Sequence, residues 1–212
     1  MRKISESTVR RLCGYLRLLE EFQRLGKTTV SSDELAVRGH TTPAQVRKDL
    51  SFFGSFGKRG LGYDVLDLTD RLRDIMGLDK TYRVALIGAG KIGSALVHYR
   101  GFSERGFEVV SVYDNDECKV GASWGSVTVR HVRDLEADLT AKPIHIAVLT
   151  TPASVAQEIL DRLVKLGVKA VLNFAPTPLS HPSDVTVQNV NMAVELETLS
   201  YALRNCRDPD SG

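Results

Sequence analysis

Apolar residues recur with the period of an α-helix through the first third of the chain, where we predict a run of helices. The first spans residues 5–25 and ends at Gly26, since glycine readily terminates helices. Its predicted inner face consists of Val9, Leu12, Leu16, Leu19 and Phe22. A capping box, Ser31 with Glu34 three residues later, then predicts a short second helix that stops at Gly39.

A third helix is predicted to begin at Thr42 and Pro43, because proline is well tolerated at the first helical position. Its inward positions are Val46, Leu50 and Phe53. Its outer face is left to Gln45, Arg47, Lys48 and Ser51. Two helices joined by a tight turn are typical of a helix-turn-helix, whose last helix contacts the major groove of DNA. A small helical bundle with a solvated basic face would give the same pattern.

The next segment, GSFGKRGLGY at 54–63, has four glycines and cannot continue the helix. Two short strands around 57–60 would form a hairpin with Lys58 and Arg59 at its tip. A cationic loop beside such a helix can enter a minor groove, where narrow A·T tracts concentrate negative potential. We therefore predict a winged helix-turn-helix. A fourth amphipathic helix follows, with Val65, Leu68, Leu72, Ile75 and Met76 on one face.

Beyond residue 82 the pattern changes to short apolar runs that predict buried strands. The run at 84–87 leads into GAGKIG at 88–93, then a helical pattern, then a second run at 107–113 that ends on Asp114. Strand, glycine turn, helix, strand and acid are in the order that a dinucleotide site requires. Asp114 would accept both ribose hydroxyls of adenosine and repel a 2′-phosphate. The turn residues expected around the pyrophosphate are Gly88, Ala89, Gly90, Lys91, Ile92 and Gly93.

Further strands are predicted at 127–129, 144–149, 168–174 and 185–190, with a helix between the second and third of them. Together they indicate an α/β fold with a doubly wound parallel sheet, in which ligands lie beyond the carboxyl ends of the strands. The loop residues expected near the nicotinamide are Thr150, Thr151, Pro152, Asn173, Phe174, Ala175 and Pro176. Ordinary turn chemistry is the alternative explanation for both loops. A last amphipathic helix begins at Asn191.

Composition and charge narrow the function. The chain has 212 residues and a globular composition, with room for two small domains or one large one. No apolar run approaches the ~20 residues of a membrane span and no signal peptide is evident, so we expect a cytoplasmic protein without a membrane partner. Residues 1–63 hold twelve Lys and Arg against six Asp and Glu, which indicates a polyanion partner for that part. The three cysteines are far apart, so we expect reduced thiols and no metal site.

The pattern does not favour an enzyme, because a single Rossmann unit follows residue 82, without a separate substrate domain. No Tyr-x-x-x-Lys pair is present. An NAD-dependent oxidoreductase fused to a DNA-binding domain, and a regulator that binds coenzyme A, stay open as alternatives.

Three motifs, QVRKDLSFFGSFGKRGLGY at 45–63, LIGAGKIGSAL at 86–96 and VLNFAP at 171–176, resemble those of the bacterial redox-sensing repressors of the Rex family. The resemblance runs from about residue 4 to 204. It implies a homodimer on a pseudo-palindromic operator, a Rossmann domain that senses the NADH to NAD⁺ ratio, and release from double-stranded DNA by NADH. From the residue pattern we expect a winged helix-turn-helix DNA-binding domain at 1–79, a Rossmann domain at 80–190, a last helix at 191–206 and a tail at 207–212. The resemblance implies that the helix at 191–206 is exchanged between protomers.

The resemblance further implies a switch, in which an aspartate at the start of the exchanged helix pairs alternately with a tyrosine of the Rossmann domain and an arginine of the first helix. Tyr99 and Arg17 keep that pattern, whereas Asn191 and Met192 depart from it. Asn191 is equally explained as a helix N-cap. Met192 occupies the position of a residue that is often a phenylalanine covering the nicotinamide pocket.

Overall fold

The computed structural model describes residues 4–54, 56–57 and 61–205. The chain divides into two compact units, Met1–Lys80 and Thr81–Gly212, called here the N-terminal and C-terminal units. None of the described helices is long and apolar enough to cross a membrane.

The N-terminal unit is built from four helices and two short strands. Its helices are α1 (Glu6–Arg24), α2 (Ser32–Arg38), α3 (Pro43–Ser51) and α4 (Val65–Ile75), and its strands are β1 (Thr29–Val30) and β2 (Tyr63–Asp64). Each helix begins at a side-chain cap, formed in turn by Ser5, Ser31, Thr42 and Asp64. The Ser31 cap is the predicted capping box, with both reciprocal hydrogen bonds present.

The core of this unit follows the predicted pattern with two changes. Leu12, Leu16, Leu19 and Phe22 of α1 are buried against Val46 and Leu50 of α3 and against the inner face of α4. Val9, predicted to face inward, is 40% exposed, and Tyr15 is buried instead. The inward face of α1 is therefore shifted, and it brings a hydroxyl into the core.

The predicted hairpin falls largely on residues outside the described ones, so its strand pairing stays a prediction. After the loop, Tyr63–Asp64 pairs antiparallel with Thr29–Val30, a pairing that the sequence pattern did not indicate. Among the described residues just before the loop (54, 56 and 57), none is in a strand. Gly62 has φ +79°, and a Cβ there would lie 2.5 Å from the carbonyl oxygen of Val30, so the loop approaches β1 too closely for any side chain. Lys58 and Arg59 lie outside the described residues.

The C-terminal unit is a seven-stranded sheet flanked by helices. Its strands are β3 (Tyr82–Ile87), β4 (Phe107–Asp114), β5 (Ser123–Trp124), β6 (Val127–His131), β7 (Ile146–Leu149), β8 (Ala170–Asn173) and β9 (Thr186–Asn189). Its helices are α5 (Lys91–Val97), α6 (Arg100–Ser103), α7 (Leu135–Ala141), α8 (Ala153–Lys165) and α9 (Met192–Asn205), with a 3₁₀ turn at Val132–Asp134.

The strand order is β5-β6-β4-β3-β7-β8-β9. All pairings are parallel except β5 with β6. The order reverses direction between β3 and β7, which makes this a doubly wound sheet with its switch point beside the glycine turn. The predicted fold class of this unit is confirmed. His145, predicted inside a strand, precedes β7 and is exposed, and its Nδ1 accepts a hydrogen bond from the Arg83 N–H at 2.9 Å.

The last helix, α9, is exposed at every position from Met192 to Arg204. Its spacing places apolar side chains on two opposite sides. One side carries Met192, Leu196, Leu199 and Leu203, and the other carries Val194 and Tyr201, all at least 48% exposed. Both apolar sides of α9 are therefore uncovered in the single chain.

Candidate functional site

A cavity of 780 Å³ opens at the carboxyl ends of β3, β4, β7 and β8, beside the switch point of the sheet. The predicted residues that line it are Gly88, Gly90, Ile92, Asp114, Thr150, Thr151, Pro152, Phe174 and Pro176. Residues that sequence reasoning missed also line it, including Asn115, Lys119, Val132, Ser154, Val155, Glu158, Ile159 and Arg162.

The three glycines of the turn differ in what surrounds them. Gly88 has φ +111°, and a Cβ there would lie 2.6 Å from the Thr150 carbonyl oxygen. A Cβ at Gly93 would lie 2.2 Å from the Gly88 carbonyl oxygen, whereas one at Gly90 would meet no atom within 4 Å. Thr150 Oγ1 donates to the same Gly88 carbonyl at 2.7 Å, which holds the turn in place. Gly88 and Gly93 therefore shape the turn, and Gly90 leaves space for a ligand.

Asp114, the last residue of β4, is 8% exposed and forms one wall of the cavity. Its Oδ2 accepts the Ala89 N–H at 2.6 Å and lies 3.3 Å from Lys119 Nζ, while its Oδ1 accepts the Asp116 N–H at 2.8 Å. Partial burial lowers the pKa of Lys119, but the charge of Asp114 outweighs this and the pKa is raised. A carboxylate oxygen accepts about two hydrogen bonds, so Oδ1 keeps capacity for a ligand hydroxyl.

Asn173 does not line the cavity, contrary to its prediction as a ligand contact. Its side chain is fully buried, and Nδ2 donates to the Thr177 carbonyl at 3.0 Å and to Asn189 Oδ1 at 2.8 Å. Its Oδ1 accepts the Ala175 N–H at 2.9 Å. The hydrogen-bonding groups of this amide are therefore occupied by the loop after β8 and by Asn189. The loop held in this way carries Phe174, which lines the cavity.

Five other predicted contacts are also absent from the lining: Ala89, Lys91, Gly93, Ala175 and Met192. Ala89 acts through its backbone N–H on Asp114, and Gly93 through close packing. Lys91 is exposed at the start of α5, and Met192 is 60% exposed at the start of α9.

Arg162, which lines the cavity, is held in place by a bidentate ion pair. Arg162 of α8 donates to both carboxylate oxygens of Glu136, at 2.6 and 2.8 Å, and to the Val132 carbonyl at 2.8 Å. This hydrogen bonding lowers the pKa of Glu136 and raises that of Arg162. Burial raises the pKa of Tyr113, a neighbouring wall residue, to about 12, so its hydroxyl stays protonated.

The outer face of α3 carries the cations expected for DNA. Arg47 and Lys48 are exposed, and Arg47 Nη1 donates to Ser32 Oγ at 2.9 Å. Ser51 is exposed and its hydroxyl donates to the Lys48 carbonyl at 2.7 Å. Many other cations of this unit pair with acids: Arg10 with Glu6, Arg11 with Asp49, Lys27 with Glu34, Arg38 with Glu21, Arg71 with Asp67 and Arg73 with Glu20. Arg47 and Lys48 form no ion pair with an acid in the described part of the chain, so α3 presents uncompensated positive charge.

A buried carboxylate lies behind this face. Asp49 of α3 is fully buried and accepts Arg11 through both oxygens, at 2.6 and 2.8 Å. It also accepts the Tyr15 hydroxyl at 3.1 Å and Gln45 Nε2 at 2.7 Å, so Gln45 is half-buried and not simply on the outer face. Burial alone raises the pKa of Asp49, but the hydrogen bonds it accepts, that of Arg11 foremost, keep the pKa below its ordinary value.

Sequence reasoning missed this cluster, although an acid between Val46 and Leu50 on an inward helical face is a usable signal.

The predicted switch residues are exposed in the single chain. Arg17 of α1 is exposed, and Tyr99 is 59% exposed with its ring edge-on to Phe102, centroids 5.3 Å apart. Asn191 Oδ1 accepts the Ala193 N–H at 3.0 Å. Asn191 therefore has the geometry of a cap for α9.

Within the described residues, no group of three or more His, Cys, Asp or Glu is placed to hold a metal ion. Cys13 and Cys118 are free and exposed. Cys206 lies outside the described residues.

Comparison with known proteins gives matches to both units. Residues 79–177 match the family model of the CoA binding domain, and residues 3–51 match the model described as "Putative DNA-binding protein N-terminus". The redox-sensing transcriptional repressor Rex of Carboxydothermus hydrogenoformans is 46% identical over 202 residues, which cover 95% of this chain and 97% of the relative.

Solved structures of RSP, a Rex-family repressor, extend the match to the fold. Its complex with β-NAD⁺ and operator DNA has a TM-score of 0.92 at 38% identity, covering 97% of this chain and 94% of the other. Its complex with β-NADH has a TM-score of 0.88 at 36% identity, covering 97% and 96%.

A helix-turn-helix unit joined to a Rossmann unit with an open nucleotide-sized cavity defines a class of ligand-responsive DNA-binding regulators. Within that class, the chain belongs to the Rex family of redox-sensing transcriptional repressors.

Proposed function

We propose that this protein is a DNA-binding transcriptional repressor that senses the NADH to NAD⁺ ratio and leaves operator DNA when NADH binds. One observation carries the proposal: the chain combines an uncompensated cationic α3 with a cavity formed by a glycine turn and Asp114. The complexes of RSP with β-NAD⁺ and operator DNA, and with β-NADH, support it.

The cavity favours NAD(H) over NADP(H) and coenzyme A. The free capacity of Asp114 Oδ1 suits the ribose hydroxyls of an unmodified adenosine. NADP(H) carries a phosphate on the 2′-oxygen and coenzyme A carries one on the 3′-oxygen, and either would face the carboxylate. The match to the CoA binding domain makes coenzyme A the competitor that needs direct measurement.

Redox discrimination has to come from the other end of the ligand, because NADH and NAD⁺ share their adenosine half. The oxidised nicotinamide ring is positively charged, whereas the reduced ring is neutral. Pro152 and Phe174 contribute apolar surface to the cavity lining, and we assign that surface to the nicotinamide ring. Burial against apolar surface disfavours the cation by desolvation, so the site holds NADH more tightly than NAD⁺.

Arg47 and Lys48 contact base edges in the major groove, with Gln45 and Ser51 in support, and Lys58 and Arg59 enter the minor groove. Phosphate contacts supply salt-dependent affinity, whereas base contacts supply specificity. A dimer with two-fold symmetry binds a pseudo-palindromic operator.

We propose a homodimer in which the segment 191–206 is exchanged between protomers. The two exposed apolar sides of α9 support this assignment, because each side needs a surface to cover it. The chain then consists of a DNA-binding domain at 1–79, a Rossmann domain at 80–190, the exchanged helix and a tail at 207–212.

The protein acts as a cytoplasmic regulator and not as an enzyme. Residues 121–125, GASWG, match the G-x-S-x-G pattern of hydrolases, but that pattern needs a serine on a strand-to-helix turn. Ser123 instead lies exposed in β5 of a hairpin. Incubation with NADH and common carbonyl substrates should leave the nicotinamide absorbance unchanged.

One titration tests the proposal. The protein is bound to fluorescent operator DNA and titrated with NADH, NAD⁺, NADPH and coenzyme A in separate series. We expect release by NADH at the lowest concentration. Equal potency of NADH and NADPH would contradict the role of Asp114, and release by coenzyme A alone would replace the ligand. Arg47→Ala/Lys48→Ala should abolish operator binding while the intrinsic fluorescence response to NADH is kept.

A further inference from the structure

The buried Asp49 joins α1 to α3 through hydrogen bonds. Its four hydrogen-bond donors come from Arg11 and Tyr15 on α1 and from Gln45 on α3 itself. Gln45 is the member of this set on the side of α3 that is proposed to face DNA. The cluster therefore joins the core of the unit to a DNA-reading side chain.

The ionised carboxylate fixes the amide of Gln45. An ionised carboxylate only accepts hydrogen bonds, so the NH₂ end of the Gln45 amide must point toward Asp49. Gln45 Nε2 donates to Asp49 Oδ1 at 2.7 Å. Gln45 Oε1 makes no hydrogen bond with any described residue, so Oε1 and the second N–H are the polar atoms left for a ligand.

We propose that Asp49 is a positioning residue that holds the Gln45 amide in one orientation and so sets the base that Gln45 reads, an inference that rests on the proposed function. A glutamine reads adenine through one donor and one acceptor, and reversing the amide would exchange them. Asp49 prevents that reversal, because an outward NH₂ group would turn Oε1 toward a carboxylate.

The neutral, nearly isosteric variant Asp49→Asn tests whether Asp49 fixes the orientation of the Gln45 amide. The asparagine amide offers both a donor and an acceptor, so Gln45 can pair with it in either orientation. The probe is a duplex enriched by the wild-type protein from a randomised pool, with a scrambled duplex as the reference for non-specific binding. Gln45→Met identifies the base pair that Gln45 reads, because preference is lost there.

At that base pair we expect the wild type to discriminate by about tenfold or more, as bidentate amide contacts do. Asp49→Asn should reduce the preference to about threefold or less, with affinity for the scrambled duplex within about twofold, since phosphate contacts are kept. In a Gln45→Met background, Asp49→Asn should change the preference no further, as expected when both residues act through one contact.

Two matched controls separate positioning from folding. Tyr15→Phe removes one hydrogen bond to Asp49 Oδ2 but keeps the Oδ1 bond to Gln45, so it should lower stability without changing the base preference. Asp67→Asn makes the same chemical change in an exposed ion pair of α4, and it should change neither the stability nor the base preference.

Wild-type preference in Asp49→Asn at the Gln45 position would overturn the inference, as would an equal loss at every position. If Asp49→Asn does not fold, Gln45→Met keeps the inference open to refutation, because unaltered preference at all positions would show that Gln45 reads no base and would overturn it. Failure of the wild type to enrich any duplex from the randomised pool would instead reject the proposed DNA-binding function.

Discussion

Each unit of the chain buries an aspartate beside its candidate site, and the two carboxylates are used differently. Asp49 has no exposed surface and accepts four hydrogen bonds from three side chains. Asp114 lies at a cavity wall, accepts two backbone N–H groups and has one lysine nearby. Asp49 is saturated by the protein, whereas Asp114 keeps capacity for a ligand.

The contrast shows that burial alone does not identify a ligand-binding acid. Burying a carboxylate costs free energy unless it accepts hydrogen bonds or pairs with a cation, and both aspartates are paired in this way. The two aspartates differ in whether the protein fills every acceptor position of the carboxylate. They also differ in whether an unfilled position opens onto a cavity.

The largest expected effect is on stability. Asp49→Ala should lower the free energy of unfolding by roughly 3–5 kcal/mol, because the buried ion pair loses one partner. We expect the lower end of that range, since the Arg11 side chain is 30% exposed and can reach water. Asp114→Ala should cost about 1–3 kcal/mol, through the unsatisfied Ala89 N–H. Denaturant unfolding followed by circular dichroism measures both, and equal losses would contradict the distinction.

Ligand affinity should show the reverse order. Asp114→Ala removes a charged acceptor worth about 1.5–3 kcal/mol, so NADH affinity should fall by about tenfold or more and the gap to NADPH should narrow. Asp49→Ala should leave NADH affinity of the folded protein unchanged. Fluorescence titration of bound NADH is the measurement. An unchanged NADH to NADPH ratio in Asp114→Ala would remove this residue from ligand choice.

Two glycines of the turn show a similar contrast, because protein atoms crowd the place of a Cβ at Gly93 and leave it free at Gly90. A methyl group at Gly93 would lie 2.2 Å from the Gly88 carbonyl, so Gly93→Ala should destabilise the C-terminal unit by about 1–3 kcal/mol and lose NADH binding. Gly90→Ala meets no atom within 4 Å and should keep stability within about 1 kcal/mol while NADH affinity falls. The fluorescence of Trp124, the single tryptophan, follows unfolding of this unit. Equal stability of the two variants would contradict the packing role of Gly93.

Lowering the pH should remove the contribution of Asp49 to stability gradually, and this effect is smaller than that of the substitutions above. The pKa of Asp49 is depressed in the folded state, so its contribution to stability is complete above the unfolded value of about 4 and is lost as pH falls through the folded value. Asp49→Asn should therefore show a shallower loss of stability between neutral and acidic pH than the wild type. Asp67→Asn serves as the surface control. The same acid dependence in Asp49→Asn and wild type would show that another group dominates.

The features that sequence predicted well are local ones. The order of strand, glycine turn, helix and terminal acid placed Asp114 and Gly90 at the cavity, because each depends on a few consecutive residues. The helix caps Ser31 and Thr42 followed for the same reason.

The failures come from contacts between residues that are distant in sequence. β2 pairs with β1, a partner that lies before α2, and no pattern near the glycine loop indicates that pairing. Asn173 resembles a ligand residue at a strand end, yet Asn189 and its own loop use its amide. Lys119 and Arg162 reach the cavity from elements whose packing only the fold determines.

The smallest expected effect concerns Asn191, which caps α9 and is also the residue at the switch position that the family resemblance implies. Its Oδ1 caps α9 through the Ala193 N–H, and aspartate caps a helix equally well, so Asn191→Asp should keep the helix and add a charge. A charged acceptor gives about 1.5–3 kcal/mol where a neutral one gives roughly 0.5–1.5, so we expect the alternating pairing with Tyr99 and Arg17 that the family resemblance implies to strengthen by about 1 kcal/mol. Because a full switch needs about 5.5 kcal/mol of differential binding, we propose that burial of the nicotinamide ring supplies most of it. We therefore expect Asn191→Asp to sharpen NADH-driven release from operator DNA by about fivefold, and Arg17→Ala to matter more in that background than in the wild type. An operator-release titration in which Asn191→Asp leaves NADH sensitivity unchanged would leave Asn191 with its cap alone.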